Sequence, residues 1–156
     1  MTATILLKRS MVAVIGGLVL SLAIGCGPAP VPEAGDIAGL QQLIKKTSQP
    51  VLVDYYKQGC EHCNAFEITL RLLASEHKGQ IVTTKFLLMK ANGECTAPEF
   101  ATKHDIQLYP TVVMYVNGKE VKRFVQDYMY DDYSKAIDEC VKSSAGPPKP
   151  AAGQKP

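Results

Sequence analysis

A strand-like run that delivers two cysteines to the start of a helix constrains this chain more than any other feature. Val51-Leu52-Val53-Asp54-Tyr55-Tyr56 is nearly continuous in apolar side chains, the pattern of a strand buried on both faces. Cys60-Glu61-His62-Cys63 comes next and opens a helical stretch that runs to about His77. Lys78-Gly79 ends it, and Ile81 to Met89 reads as a second strand. Strand, helix, strand in that order implies a right-handed crossover with the two strands parallel. Such strands need cover on both faces of the sheet.

The remaining pattern supplies that cover. Asp36 can cap a helix whose Ile37, Leu40, Leu43 and Ile44 make one apolar face, ending before Pro50. In the cysteine-bearing helix, Ala65, Phe66, Ile68, Leu70, Leu72 and Leu73 are expected on the buried side. Thr96 to His104 predicts a short helix with Pro98 in its first turn. Thr111 to Val116 and Glu120 to Val125 flank Asn117-Gly118, a two-residue hairpin signal. A last helix from about Asp131 to Lys142 puts Tyr133, Ile137 and Val141 on one side. The expected fold class is α/β: a central mixed sheet with helices on both faces.

The ends differ in kind from this middle. Lys8 and Arg9 precede an apolar run from Met11 to Ile24, too short for a comfortable membrane span of ~20 residues. Leu22-Ala23-Ile24-Gly25-Cys26 resembles a bacterial lipobox, which implies lipidation of Cys26 and removal of residues 1–25 as a signal peptide. An uncleaved anchor is the alternative, and either reading puts the rest of the chain outside the cytoplasm, on the periplasmic side in a Gram-negative host. Residues 26–35, rich in proline, read as a stiff tether, 36–142 as the folded domain, and 143–156 as a disordered Pro/Ala/Lys tail. A net charge of +2, with signs interspersed, gives no footing for nucleic acid. No phosphate-binding loop is visible.

Two thiols three residues apart on the first turn of a helix can close a disulfide, reopen it and pass two electrons to another protein. Cys60 is the candidate nucleophile, because a sulfur at a helix N-terminus faces unpaired N–H groups and the positive end of the helix dipole. Cys63, one turn along, is the resolving partner. Half of a zinc site or an inert disulfide would use the same spacing, but no second CxxC or paired histidines complete a zinc ligand set. Asp54 interrupts an apolar strand, where a carboxylate must be neutral, paired or hydrated. Burial would raise its pKa and suit it to accept the Cys63 proton.

Val53-Asp54-Tyr55, Cys60-Glu61-His62-Cys63, Lys85 within Thr84-Lys85-Phe86, Tyr109-Pro110-Thr111 and Asn117-Gly118 together resemble the thioredoxin family, over nearly all of Glu33 to Lys142. The resemblance implies a thioredoxin fold and puts Lys85 within reach of Asp54, as a catalytic partner or a structural ion pair. It also implies a cis Tyr109–Pro110 bond against the thiols, with Tyr109 facing an extended substrate segment, where an ordinary trans proline is the local alternative. His62 lies as in the CxHC of protein disulfide isomerases. There an imidazolium would stabilise the Cys60 thiolate while Glu61 opposes it; both are otherwise solvated helix-start residues. The chain departs from the family at Gly59, where an aromatic residue is usual, in the longer link from Lys90 to Thr96, and at Gln126-Asp127, where a glycine is expected.

The expected function is a membrane-tethered, extracytoplasmic thiol:disulfide oxidoreductase working as a monomer on protein thiols and disulfides, with reduction or general exchange slightly favoured over oxidation or isomerisation. No cofactor is needed, and no metal site is assigned. Reductive service needs an electron donor such as a membrane thiol transporter. The competing reading is a lipoprotein that binds copper or zinc through Cys60, Cys63 and one of His62, His77 or His104. Cys95 and Cys140 are expected to remain separate thiols.

Overall fold

The computed structural model describes residues 27–144; the lipobox ending at Cys26, the segment before it and residues 145–156 of the expected tail lie outside the described residues, while Ser143 and Ser144, expected in that tail, end the last helix. Asp36 caps helix α1 (Ile37–Lys46), its Oδ1 accepting the Gly39 N–H at 2.6 Å. Strand β1 (Val51–Lys57) leads into helix α2 (Glu61–Glu76), and β2 (Val82–Met89) returns parallel to β1. Pro98 stands in the first turn of the short helix α3 (Pro98–Lys103), where its missing N–H costs nothing. Strands β3 (Thr111–Val116) and β4 (Lys119–Val125) form the hairpin, with Asn117 at φ 51° and Gly118 at φ 77° in its turn, as a type I′ connection requires. Helix α4 (Tyr130–Ser144) closes the order.

The sheet runs β2-β1-β3-β4, with β3 antiparallel to both neighbours. Alternation along the strands divides the core into two layers. Leu52, Val112, Met114 and Phe124 pack with Phe66, Leu70, Leu73, Tyr133 and Ile137 beneath α2 and α4. Val51, Val53, Tyr55, Phe86, Leu88, Val113 and Tyr115 pack with Leu40, Ile44 and Phe100 on the opposite face. Each fully buried large side chain contributes roughly 1.5–3 kcal/mol by leaving water. The middle strand β1 is buried from Val51 through Tyr55, so the loop carrying Cys60 rises from the most tightly held part of the sheet.

The packing changes two expectations. The buried face of α2 is Cys63, Phe66, Leu70 and Leu73, a 3–4 residue repeat, whereas Ala65, Ile68 and Leu72 are exposed, Ile68 by 66%. One helix can offer only one stripe to the sheet, and the stripe containing Cys63 and Phe66 takes it. The second change concerns the tether. Val31 is buried, Lys85 N–H donates to Pro32 O at 3.0 Å, and Ala34 N–H donates to Lys85 O at 2.9 Å. Residues 31–34 thus shield the outer edge of β2 that would otherwise be unpaired. Among the described residues no helix is long and apolar enough to cross a membrane.

Candidate active site

The loop from β1 to α2 places Cys60 where the helix starts. Gly59 adopts φ 73°, a left-handed conformation that side chains disfavour, and a Cβ there would meet nothing within 4 Å. The backbone of this turn, more than the space beside it, accounts for glycine where the family usually carries an aromatic residue. Cys60 is the N-cap of α2, and its Sγ accepts the Cys63 N–H at 3.2 Å. Cys60 is partly exposed and Cys63 is buried, and both are free thiols. The Cys63 thiol is pushed up to about 12, first by burial and next by its hydrogen bond with Cys60, against the opposing effect of a backbone hydrogen bond at Lys57.

Asp54 lies on the same sheet face as the Cys63 side of α2. It is 3% exposed, and its Oδ1 has no hydrogen-bond partner. Burial raises its pKa to about 7; the Lys85 charge pulls it down and the Glu67 charge pushes it up. Lys85 is directly opposite Asp54 in the β1–β2 register. Its ammonium is engaged elsewhere: Nζ lies 2.9 Å from Glu67 Oε2, with the ring of Tyr56 5.5 Å away. Glu67 also accepts from Arg71 at 2.7 Å. The Glu67 side chain is one-quarter exposed, so an ion pair there gives up less hydration than one at Asp54. Neither Glu67 nor Arg71 belongs to a sequence motif; the available signal is that Glu67 stands four residues after Cys63 and therefore on the same helix face.

The Tyr109–Pro110 bond is cis. Pro110 is buried, and its carbonyl accepts the Gln126 N–H at 2.9 Å. Tyr109 is half-buried against the α1–α3 side of the core together with Cys95. Burial, then the charges of Cys95 and Cys63, raise the Tyr109 phenol. Gln126 takes φ 51°, the left-handed backbone that suits the glycine expected there. The link after β2 folds back on itself, with Lys90 N–H donating to Glu94 O at 2.8 Å and Ala91 N–H donating to Gln58 Oε1 at 3.3 Å. It therefore borders the loop that carries Cys60.

Tyr128, between β4 and α4, has no signal in the sequence. Its ring stacks on His62 with centroids 5.7 Å apart and planes 30° apart. Burial, then the charges of Cys60 and Cys63, raise its phenol. Glu61 and His62 are exposed on the first turn of α2. Cys95 and Cys140 pack on opposite sides of the sheet, each a free thiol. His77 lies near Ser134, with Nε2 and Oγ 3.4 Å apart, and His104 lies against Phe100. Among the described residues no group of three or more His, Cys, Asp and Glu converges as a metal-ligand set.

A helix-capping cysteine, a buried cysteine one turn on and a cis proline loop are the parts that the family resemblance requires. The family model for thioredoxin matches residues 36–139. The chain belongs to the thioredoxin family. It is 34% identical over 77 residues to thioredoxin from Griffithsia pacifica, a match covering 49% of this chain and 65% of that protein. It is 28% identical over 96 residues to thioredoxin from Peptoclostridium acidaminophilum, covering 62% of this chain and 79% of that one. The chain thus spans just under two thirds of the Griffithsia protein. The structure of Fasciola hepatica thioredoxin superposes with a TM-score of 0.58 at 23% identity, over 70% of this chain and 99% of that chain, which shows the shared fold. The domain is thioredoxin-like, with a pair of cysteines at the start of α2.

Proposed function

We propose that this chain is a thiol:disulfide oxidoreductase that exchanges electrons between Cys60/Cys63 and protein disulfides. The observation that carries this reading is the asymmetry of the pair: an accessible Cys60 at the helix cap beside a buried Cys63 whose proton is tightly held. Cys60 attacks a partner disulfide; the partner's S–S bond breaks, one partner sulfur leaves, and a Cys60–partner disulfide forms. Asp54, as carboxylate, takes the Cys63 proton. The Cys63 thiolate then attacks Cys60 Sγ, the Cys60–Cys63 bond forms, and the second partner sulfur leaves and is protonated. The partner gains two electrons and this chain loses two; an external dithiol restores it. Tyr109 and Pro110 line the approach for an extended segment, and Glu61 and His62 border Cys60. Reduction and general exchange fit a single small domain better than dedicated isomerisation.

On the same reading the domain stands outside the cytoplasm, held to a bacterial membrane by lipid on Cys26, with a membrane thiol donor as its reductant. Its support is the charged, apolar and lipobox-like order of residues 8–26. Insulin reduction under dithiothreitol tests the chemistry: activity in the wild type and its loss in Cys60→Ser support it, and an inactive wild type refutes it. Cys63→Ala in the native host is expected to accumulate mixed disulfides that identify the clients. Metabolic labelling with palmitate tests the anchor, since Cys26→Ser must lose both label and membrane association.

A further inference from the structure

The buried carboxylate and the lysine opposite it ought to pair, and they do not. Asp54 and Lys85 are register partners on neighbouring parallel strands, so their side chains leave the same face of the sheet. Asp54 Oδ1 is nonetheless without a hydrogen-bond partner. The ammonium is drawn to Glu67, one turn beyond Cys63 on α2, and Glu67 is itself held by Arg71 one turn further on. Other groups near Asp54 supply no cation. From α2 come Glu67 and Cys63, from α4 the Tyr133 phenol, and from β1 Tyr56, whose hydroxyl donates to Glu33 at 2.8 Å. From β3 the register partner is apolar Val112. Lys85 is the one cation acting directly on Asp54 among the described residues.

We propose that Glu67 is a positioning residue: by holding the Lys85 ammonium toward α2, it keeps that cation off Asp54 and leaves the carboxylate free to take the Cys63 proton. The step it serves is a proton transfer alone, from Cys63 Sγ to an Asp54 carboxylate oxygen, giving a thiolate and a carboxylic acid with no electron moved. A direct Lys85–Asp54 ion pair would stabilise the carboxylate and make it a poorer acceptor. With Glu67 as the competing anion, Lys85 neutralises charge nearby without saturating Asp54. The role rests on the proposed disulfide exchange.

The experiment is a carbon-13 carboxyl NMR titration of Asp54 in the reduced full chain, for wild type, Glu67→Gln, Lys85→Met and the double variant. Burial pushes the Cys63 thiol up to about 12, well above neutrality, so the neutral range reports Asp54. Glu67→Gln is expected to release Lys85 toward Asp54 and lower its midpoint by about one pH unit or more, the size of effect an opposite charge within ~4–6 Å produces. Lys85→Met is expected to raise the midpoint. In the double variant the lowering caused by Glu67→Gln is expected to shrink to the smaller part that comes from losing the Glu67 charge itself, because no ammonium remains to move. A midpoint unchanged in Glu67→Gln overturns the proposal. So does an equal lowering with and without Lys85, which would mean that Glu67 acts only through its own charge. Glu67→Ala provides a second helix-compatible variant with the same expectations. Insulin reduction measured on the same samples keeps the two readings apart: an inactive wild type removes the enzyme reading and leaves the titration intact, whereas an active wild type with a flat titration removes only the role of Glu67.

Discussion

Asp54 should make this domain less stable as the pH rises through neutrality, and replacing it by asparagine should abolish that dependence. The carboxyl has an ordinary value of 3.8 and is raised to about 7 in the folded chain, chiefly by burial. Between those values the folded chain keeps a proton that the unfolded chain has released, so stability falls with increasing pH. Below about pH 3 both states are protonated and the penalty is absent; above about pH 8 it is complete. At ~1.4 kcal/mol per pH unit the full effect is about 4 kcal/mol, of which about 3 kcal/mol develops between about pH 5 and about pH 9. The amide of the Asp54→Asn variant is uncharged throughout and carries only a pH-independent cost. Urea unfolding of reduced wild type and Asp54→Asn, at a series of pH values in that range, measures the difference. The wild-type midpoint should drop relative to the variant by roughly 2 M if m is about 1.5 kcal/mol/M. A difference between the two proteins that stays constant from about pH 5 to about pH 9 would show that the folded carboxyl titrates normally, and the assignment of Asp54 as a proton acceptor near neutrality would fail with it.

The packing and the site fix three further outcomes. Brief iodoacetamide treatment of the reduced protein at about pH 8, read by peptide mass, should label Cys60 and spare Cys63, which is buried and pushed up to about 12 and so carries a thiolate fraction of only ~10⁻⁴; equal labelling would remove the asymmetry on which the enzyme reading rests. Gln126→Gly should raise the urea midpoint, with a gain of a few tenths to about 1 kcal/mol, because φ 51° costs an L-residue more than glycine loses in entropy; a lower midpoint would mean that the Gln126 side chain contributes contacts of greater weight. Phe66→Ala, at a side chain fully buried between α2 and Tyr133, should cost about 3–5 kcal/mol in the same assay, and a loss under about 1 kcal/mol would show that the α2 face is packed differently.

The order of elements, the helix beginning at the cysteines, the Asp36 cap and the Asn117-Gly118 hairpin are all legible in the chain itself. Each depends on chemistry within a few residues: an apolar period, a side chain that caps its own helix, a residue pair that tolerates positive φ. Cys60, Cys63 and Asp54 are legible for a related reason, since a thiol pair on one helical turn and a charge in an apolar strand stand out locally, whereas the cis bond at Pro110 followed only from the family resemblance, because most X–Pro bonds are trans. Other features depend on competition among groups far apart in sequence. Lys85 could serve either of two carboxylates, and the packing of α2 on the sheet gives it to the better-hydrated Glu67. Ile68 and Leu72 are as apolar as Leu70 and Leu73, but a helix rests on one stripe only, and the sheet takes the stripe with Cys63. Tyr128 reaches His62, and residues 31–34 settle along β2, because the folded sheet brings remote segments together. Local patterns specify which elements form; which side chain wins a shared partner is decided only once those elements are packed, because only then do distance and lost hydration acquire definite values.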